Sequence, residues 1–328
     1  MTSAKPTKGK KKFKSIDLFA GIGGIRKGFE HICETVYAND FDSSACKTYA
    51  ANFGEIDCSD LRDVVKNMDK KIPKFDILLG GFPCQSFSIA GKRQGFADTR
   101  GTMFFEVEKI LEKYKPKAFL LENVRNLENH DKGNTLKVIL NVLTEKLGYD
   151  VHYKVMNAKD FGVPQNRPRI YIVGFKKKVN FKFPEPTKRV KLKSVLEKKV
   201  DPKHYISQMY YEGLERHRNR HAEKGNGFGY MVLDPEGIAN ALVVGGMGRE
   251  RNLIKDKPIN VYKSGMDKKL TKNTLGLRKL TIRECARLQG FPDTFHFPVK
   301  DGPAYKQLGN SVAVPVMKAV ADEMAKHL

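Results

Sequence analysis

The chain is short of acid. Against 60 Lys and Arg it has 37 Asp and Glu, and its formal net charge is +23 over 328 residues. An excess of that size favours a polyanionic partner, nucleic acid before an anionic membrane surface. Cysteine is also scarce. The five are Cys33, Cys46, Cys58, Cys84 and Cys285, an odd number with no C-x-x-C pair. Neither a disulfide framework nor a structural zinc site is expected from that set, and free thiols point to a reducing cytoplasm. No apolar run approaches the length of a membrane span, and no apolar stretch of the kind a secretory signal needs follows the Lys-rich residues 1–14. Internal repeats and low-complexity tracts are missing as well. What is present is core: 40% of residues are hydrophobic, with 20 Phe and 12 Tyr. That suffices for one to three ordinary domains without disulfides or metals, and it excludes wholesale disorder.

Short apolar runs alternate with helical spacing through the first half. Strands are expected over 15–19, 36–39, 75–79, 118–121, 151–156 and 169–175, and helices over 25–32, 43–52, 101–114 and 135–147. This alternation predicts an α/β fold on a doubly wound, mostly parallel sheet. Beyond Lys176 the pattern blurs and Lys accumulates. Residues 217–229 read as a loop, and Gly245, Gly246 and Gly248 form a glycine-rich patch beside Arg249 and Arg251. Residues 190–283 are therefore expected to form a smaller, irregular, basic domain. Helical spacing returns over 281–288 and 312–327. Residues 1–14 read as a flexible basic arm.

Two loops carry chemistry. Asp17-Leu-Phe-Ala-Gly21-Ile-Gly23-Gly24 follows a strand and opens a helix. Glycines there let the backbone approach a ligand, and the helix start offers free N–H groups. Asp40 ends the next strand, where its carboxylate can accept hydrogen bonds from ribose hydroxyls. A nucleoside-containing cofactor is indicated, while the lack of G-x-G-x-x-G spacing argues against NAD or FAD. The second loop is Phe82-Pro83-Cys84-Gln85-Ser86, fed by the 75–79 strand. A cysteine at a strand's carboxyl end lies where open α/β sheets place active sites, and its thiolate is a nucleophile that Arg93 and Arg100 would favour. The other four cysteines read as inert core residues. Glu122, in Leu120-Leu121-Glu122-Asn123-Val124, is expected to have a raised pKa and to act as an acid near neutrality. Arg167 and Arg169, two apart as a strand begins, are expected to face one side and to offer guanidinium forks to carbonyl or phosphate oxygens.

Taken in order, Phe19-Ala-Gly-Ile-Gly-Gly, Pro83-Cys84-Gln85, Glu122-Asn123-Val124, Gln165-x-Arg167-x-Arg169, Arg283-Glu-Cys-Ala-Arg287 and Gly309-Asn310-Ser311-Val312 resemble the motifs of the C5-cytosine-specific DNA methyltransferases of the compact bacterial restriction-modification type. The resemblance covers the chain except for about 190–280. It implies a Rossmann-like, class I S-adenosylmethionine-dependent methyltransferase fold with a small target-recognition domain. The catalytic domain would be discontinuous, 15–189 plus 305–328, with 190–283 as the recognition domain and 284–304 as a hinge. The resemblance further implies that a cytosine is flipped out of duplex DNA and attacked at C6 by Cys84. Glu122 would contact N3 and the exocyclic amine, and Arg169 would hold O2, with Arg167 in the same catalytic set. S-adenosylmethionine would donate the methyl group to C5 and leave as S-adenosylhomocysteine, with no metal involved. Its implied contacts are Phe19, Gly21, Gly23, Asp40, Phe41, Asp60, Leu61, Pro83 and Asn310. The implied setting is the bacterial cytoplasm, at the nucleoid, as a monomer without membrane attachment, beside a separately acting restriction endonuclease.

Two positions depart from the family pattern. The usual Thr-Leu pair of the recognition domain is best matched by Ala241-Leu242, without the hydroxyl. Ala90 stands where some relatives have Ser. Residues 88–101, with Ser88, Lys92, Arg93 and Arg100, are expected to close over DNA, and Arg249 and Arg251 to lie near the recognised bases. Two other readings compete. A tRNA methyltransferase of the same fold is disfavoured by the Phe82-Pro83 lead into Cys84. An inactive DNA-binding protein is disfavoured by intact Cys84, Glu122 and Arg169.

Overall fold

The computed structural model describes residues 12–83, 103–227, 229–245, 248–262, 270–272 and 275–328. Cys84, together with Ser88, Lys92, Arg93 and Arg100 of the expected closing segment, lies outside the described residues, as do residues 1–11 of the expected arm.

Six strands form the central sheet: β1 (Phe13–Leu18), β2 (Cys33–Asn39), β3 (Ile77–Gly80), β4 (Ala118–Val124), β5 (Asp150–Asn157) and β6 (Pro168–Phe175). Their order across the sheet is β2-β1-β3-β4-β6-β5. The first four pair in parallel, and β6 is antiparallel to both β4 and β5. Successive side chains in a strand point to opposite faces, which sorts the apolar runs into two layers. Leu78, Phe119, Leu121, Ile170 and Ile172 enter one buried cluster, and Leu79, Ala118, Leu120, Tyr171 and Val173 enter the other. The first face is covered by α3 (Leu61–Lys66), α4 (Met103–Tyr114) and α5 (Asn134–Asn141), and the second by α1 (Gly24–Phe29) and α9 (Val314–Met324). α2 (Ser43–Phe53) lies after β2. The approach of α1 to α9 is close enough to require glycine. A Cβ on Gly28 would stand 2.2 Å from Met317 Cβ.

A third cluster joins the remaining segments. Leu192, Leu233, Leu242 and Ile254 pack with Ala286 and Leu288 of α7 (Ile282–Leu288) and Leu308 of α8 (Asp301–Asn310). A small sheet of Val232–Leu233, Leu253–Lys255 and Leu277–Lys279 belongs to this part. It is tied to α7 by a buried ion pair in which Arg278 donates to both oxygens of Glu284, at 2.8 and 2.9 Å. Among the described residues no helix is long and apolar enough to cross a membrane.

Two expectations need correction. Residues 217–223, read as loop, continue the helix α6 (Gln208–Glu223), which Ser207 caps by accepting from the Tyr210 N–H. Only Leu214 of this helix is buried, so it lacks the apolar stripe that reveals a helix in sequence. The expectation of unpaired core thiols also fails in part. Cys46 on α2 and Cys58 form a disulfide across a Cα–Cα distance of 6.1 Å, within the range a disulfide spans. The bridge Asn39↔Asp57 folds residue 58 back beside α2, a proximity that a spacing of 12 residues does not announce. Cys33 and Cys285 are buried and free.

Candidate active site

The carboxyl ends of β4 and β3 meet the start of β6. Antiparallel register sets Glu122 opposite Tyr171 and Val124 opposite Arg169, and the Arg169 side chain turns back so that its Nε lies 3.2 Å from Glu122 Oε1. Glu122 is buried, and loss of solvation pushes its carboxyl above the ordinary range while the Arg169 charge opposes that rise. The chain leaving β3 passes directly against this carboxylate, since a Cβ on Gly81 would stand 3.3 Å from Glu122 Oε2. Asn123 Nδ2 donates to the Phe82 carbonyl at 2.9 Å. The Glu-Asn pair therefore presents a carboxyl and also fixes the Phe82-Pro83 lead toward residue 84. Pro83 is exposed at the end of that described segment.

Arg167 is placed differently from the catalytic role expected for it beside Arg169. It precedes β6, so strand alternation does not apply to it. Its guanidinium is buried and donates to three backbone carbonyls: Leu242 at 2.7 Å, Gly309 at 2.8 Å and Ser311 at 2.5 Å. Burial lowers its pKa to about 9, which still leaves it charged at neutrality. Gln165 acts in the same direction, accepting from the Leu242 N–H at 3.0 Å and donating to the Leu288 carbonyl at 2.8 Å. The Gln-x-Arg sequence thus fixes Leu242 through both its N–H and its carbonyl, and so sets Ala241-Leu242 beside the Gly309–Ser311 turn. Gln165 was not among the expected site residues.

On the other side, Phe19, Gly21, Gly23, Asp40 and Phe41 come together at the carboxyl ends of β1 and β2. Asp40 Oδ2 accepts from the Gly21 N–H and Oδ1 from the Asp42 N–H, both at 2.8 Å. Burial raises the Asp40 pKa. Phe19 holds a φ of 53°, a left-handed conformation that costs a bulky residue of order 1–3 kcal/mol and tends to occur at functional sites. Phe41 is 75% exposed, an unusual position for a large aromatic ring. Asp60 caps α3 ahead of buried Leu61, and Arg62 pairs with it at 2.6 Å and lowers its pKa. Asn310 is exposed at the end of α8, and the next residue, Ser311, abuts α1: a Cβ on Gly24 would stand 2.8 Å from Ser311 Oγ. α8 is held on α2 by a Lys306–Asp42 ion pair of 2.8 Å and by Gln307 accepting from Thr48 Oγ1 at 2.9 Å.

Asp17 was also missed. It is fully buried, neither carboxylate oxygen has a hydrogen-bond partner, and desolvation raises its pKa to about 7, with Arg26 opposing and Asp40 adding to the rise. The signal was an acid inside the apolar run Ser15-Ile-Asp17-Leu-Phe19. Of the two expected recognition arginines, Arg249 lies over the Tyr305 ring at 4.8 Å and Arg251 is exposed.

A family model of the C-5 cytosine-specific DNA methylase matches residues 13–326. The chain belongs to this family. The methylase is 52% identical over 327 residues to the type II methyltransferase M.HpaII of Haemophilus parainfluenzae, across 97% of this chain and 91% of that protein. It is 45% identical over 326 residues to M1.ScrFI of Lactococcus lactis subsp. cremoris, across 97% and 79%. Among solved structures, the Entamoeba histolytica methyltransferase EhMeth shares the fold with a TM-score of 0.75 at 19% identity, over 97% of this chain and 99% of that one. The fold is the α/β class I methyltransferase fold, and the methylase is a DNA (cytosine-5-)-methyltransferase of the kind found in type II restriction-modification systems.

Proposed function

We propose that the methylase acts on a cytosine flipped from duplex DNA through a covalent bond between Cys84 and C6, with S-adenosylmethionine as methyl donor. The observation that carries this reading is the buried Glu122–Arg169 pair, 3.2 Å apart, against which Gly81 leads the chain toward Cys84. Attack by the Cys84 thiolate forms the Sγ–C6 bond and moves the C5–C6 π pair to C5. Glu122, its pKa raised by burial, offsets charge at N3 with its proton, and Arg169 donates to O2. With C5 carrying the methyl group that the bound cofactor would supply in exchange for that electron pair, a base takes the C5 proton, the electrons of the C5–H bond re-form the C5–C6 double bond, and Cys84 leaves as thiolate. Arg167 holds Leu242 and the 309–311 turn in place around these groups.

The residues present fit S-adenosylmethionine. Asp17 offers a buried carboxylate without a partner to a cationic amino group, Asp40 keeps unused lone pairs for ribose hydroxyls, and Phe41 offers a ring face for adenine. Gly21, Gly23 and Asn310 would line the same pocket, with Asp60 at its adenine end. When bound, this cofactor supplies an electrophilic methyl group. On this reading residues 15–189 with 305–328 form the catalytic domain, 190–283 the recognition domain and 284–304 the hinge. The enzyme would work in the cytoplasm of a bacterium beside a separate endonuclease, as the type II designation of its relatives suggests.

The test is transfer of label from S-adenosylmethionine to duplex DNA, with bisulfite sequencing to locate the product. A duplex carrying 5-fluorocytosine at the target should trap a denaturation-resistant adduct, and Cys84→Ala should give neither adduct nor product. Full activity in Cys84→Ala, or stronger labelling of tRNA than of DNA, would overturn the reading.

A further inference from the structure

A cavity of about 400 Å³ opens at the carboxyl end of β4 and β5, on the outer side of the Glu122–Arg169 pair. Register fixes its position. Arg169 lies between Val124 of β4 and Met156 of β5. Arg125 follows Val124 and Pro168 precedes Arg169, and both line the cavity. The cavity therefore adjoins the β4–β6 end where the target base would be held.

Its charge is one-sided. Arg125, Lys154 and Lys159 line it, and among the described residues none of the three has an acidic partner within ion-pair distance. Asp160, the acid on the wall, is taken by Arg189 at 2.8 Å. Three uncompensated cations thus face one cavity. The wall is stiff: Pro168, Pro184 and Pro186 contribute to it, and proline has a fixed φ and no N–H to donate. The floor is apolar, with Met156 and Phe161 buried. Such a site offers two ammonium groups and one guanidinium on long stems. That suits phosphodiester groups recognised without regard to sequence.

We propose that this cavity seats phosphodiester groups of the target DNA strand next to the flipped cytosine, with Arg125, Lys154 and Lys159 as positioning residues. The inference rests on the base-flipping reading above. It assigns to the catalytic domain an anchor that holds the backbone beside the extruded nucleotide.

The test compares wild-type methylase with a variant carrying Arg125→Ala, Lys154→Ala and Lys159→Ala, and with a charge-preserving variant carrying Arg125→Lys, Lys154→Arg and Lys159→Arg. The neutral variant should raise KM for duplex DNA tenfold or more while kcat falls less than twofold. Its slope of log affinity against log salt should be shallower by about 2 to 3, on about 0.9 per phosphate contact, and the charge-preserving variant should restore it. Neutral methylphosphonates placed singly within a few nucleotides of the target should weaken wild type and leave the neutral variant indifferent. Unchanged KM and salt slope in a neutral variant that melts like wild type would overturn the inference while leaving the base-flipping reading intact. So would pyrophosphate binding that the substitutions abolish without altering DNA affinity. Failure of wild type to trap a 5-fluorocytosine duplex would instead bring down the underlying reading.

Discussion

Arg167→Met separates a structural tie from a catalytic contact. Methionine fills a similar volume, so the change removes donors without opening a large cavity. Three carbonyls, those of Leu242, Gly309 and Ser311, lose a charged partner at 2.5 to 2.8 Å. Removing one side of a buried ionic hydrogen-bond set typically costs about 3–5 kcal/mol. That figure is an upper bound, because the substitution also relieves the charge burial that lowers the arginine pKa to about 9. At about 2 °C per kcal/mol for a chain of this length, Tm should fall by at most about 6–10 °C. Because Gly309 and Ser311 flank Asn310 beside α1, KM for S-adenosylmethionine should rise as well. Arg169→Met is the control: its guanidinium pairs with Glu122 and not with the 309–311 turn, so kcat should collapse while KM for S-adenosylmethionine stays near the wild-type value. Differential scanning fluorimetry and steady-state methyl transfer read both. A wild-type Tm in Arg167→Met together with a lost kcat would refute the reasoning and return Arg167 to the catalytic set.

Two further outcomes are expected. Asp17 titrates near 7 in the folded chain against an ordinary 3.8, so between about pH 4 and 7 the folded state keeps a proton that the unfolded state has lost. Stability of the cofactor-free enzyme attributable to this group is therefore full below pH 4 and is lost as pH rises through 7. Asp17→Asn should flatten Tm between pH 5 and 8, and an unaltered slope would show that other groups set it. The Cys46–Cys58 disulfide closes a segment with a sequence separation of 12, which by loop entropy contributes about 3 kcal/mol. Wild type with reductant should melt like Cys58→Ser, below wild type without reductant; three equal Tm values would show that the disulfide contributes nothing.

The central sheet was legible because most of its strands carry a short apolar run, that of β3 ending at Gly80. Its antiparallel edge was not, because pairing direction depends on where β6 returns rather than on its own residues. Glu122 could be read as a buried-edge carboxyl from the five residues around it. Arg167 misled because the two-residue spacing to Arg169 suggests a shared strand face, whereas the strand begins only at Pro168. Asp17 was overlooked because a motif shows which residues are present and not which of them lack partners. The helix Gln208–Glu223 escaped because one buried leucine makes no periodic pattern.

The packing of α9 on α1 also has a consequence in time. His31 and Asp322 lie in contact across 291 residues of chain. At about 5–20 residues per second, synthesis would separate them by about 15–60 s. During that interval α1 waits with its glycine face uncovered, and Ser311 has not yet reached Gly24. A chain released before Val314 therefore has most of its residues made but only α1 on the face of the sheet that α1 and α9 share. With that apolar surface open, such a product should be cut by proteases faster than the full-length chain.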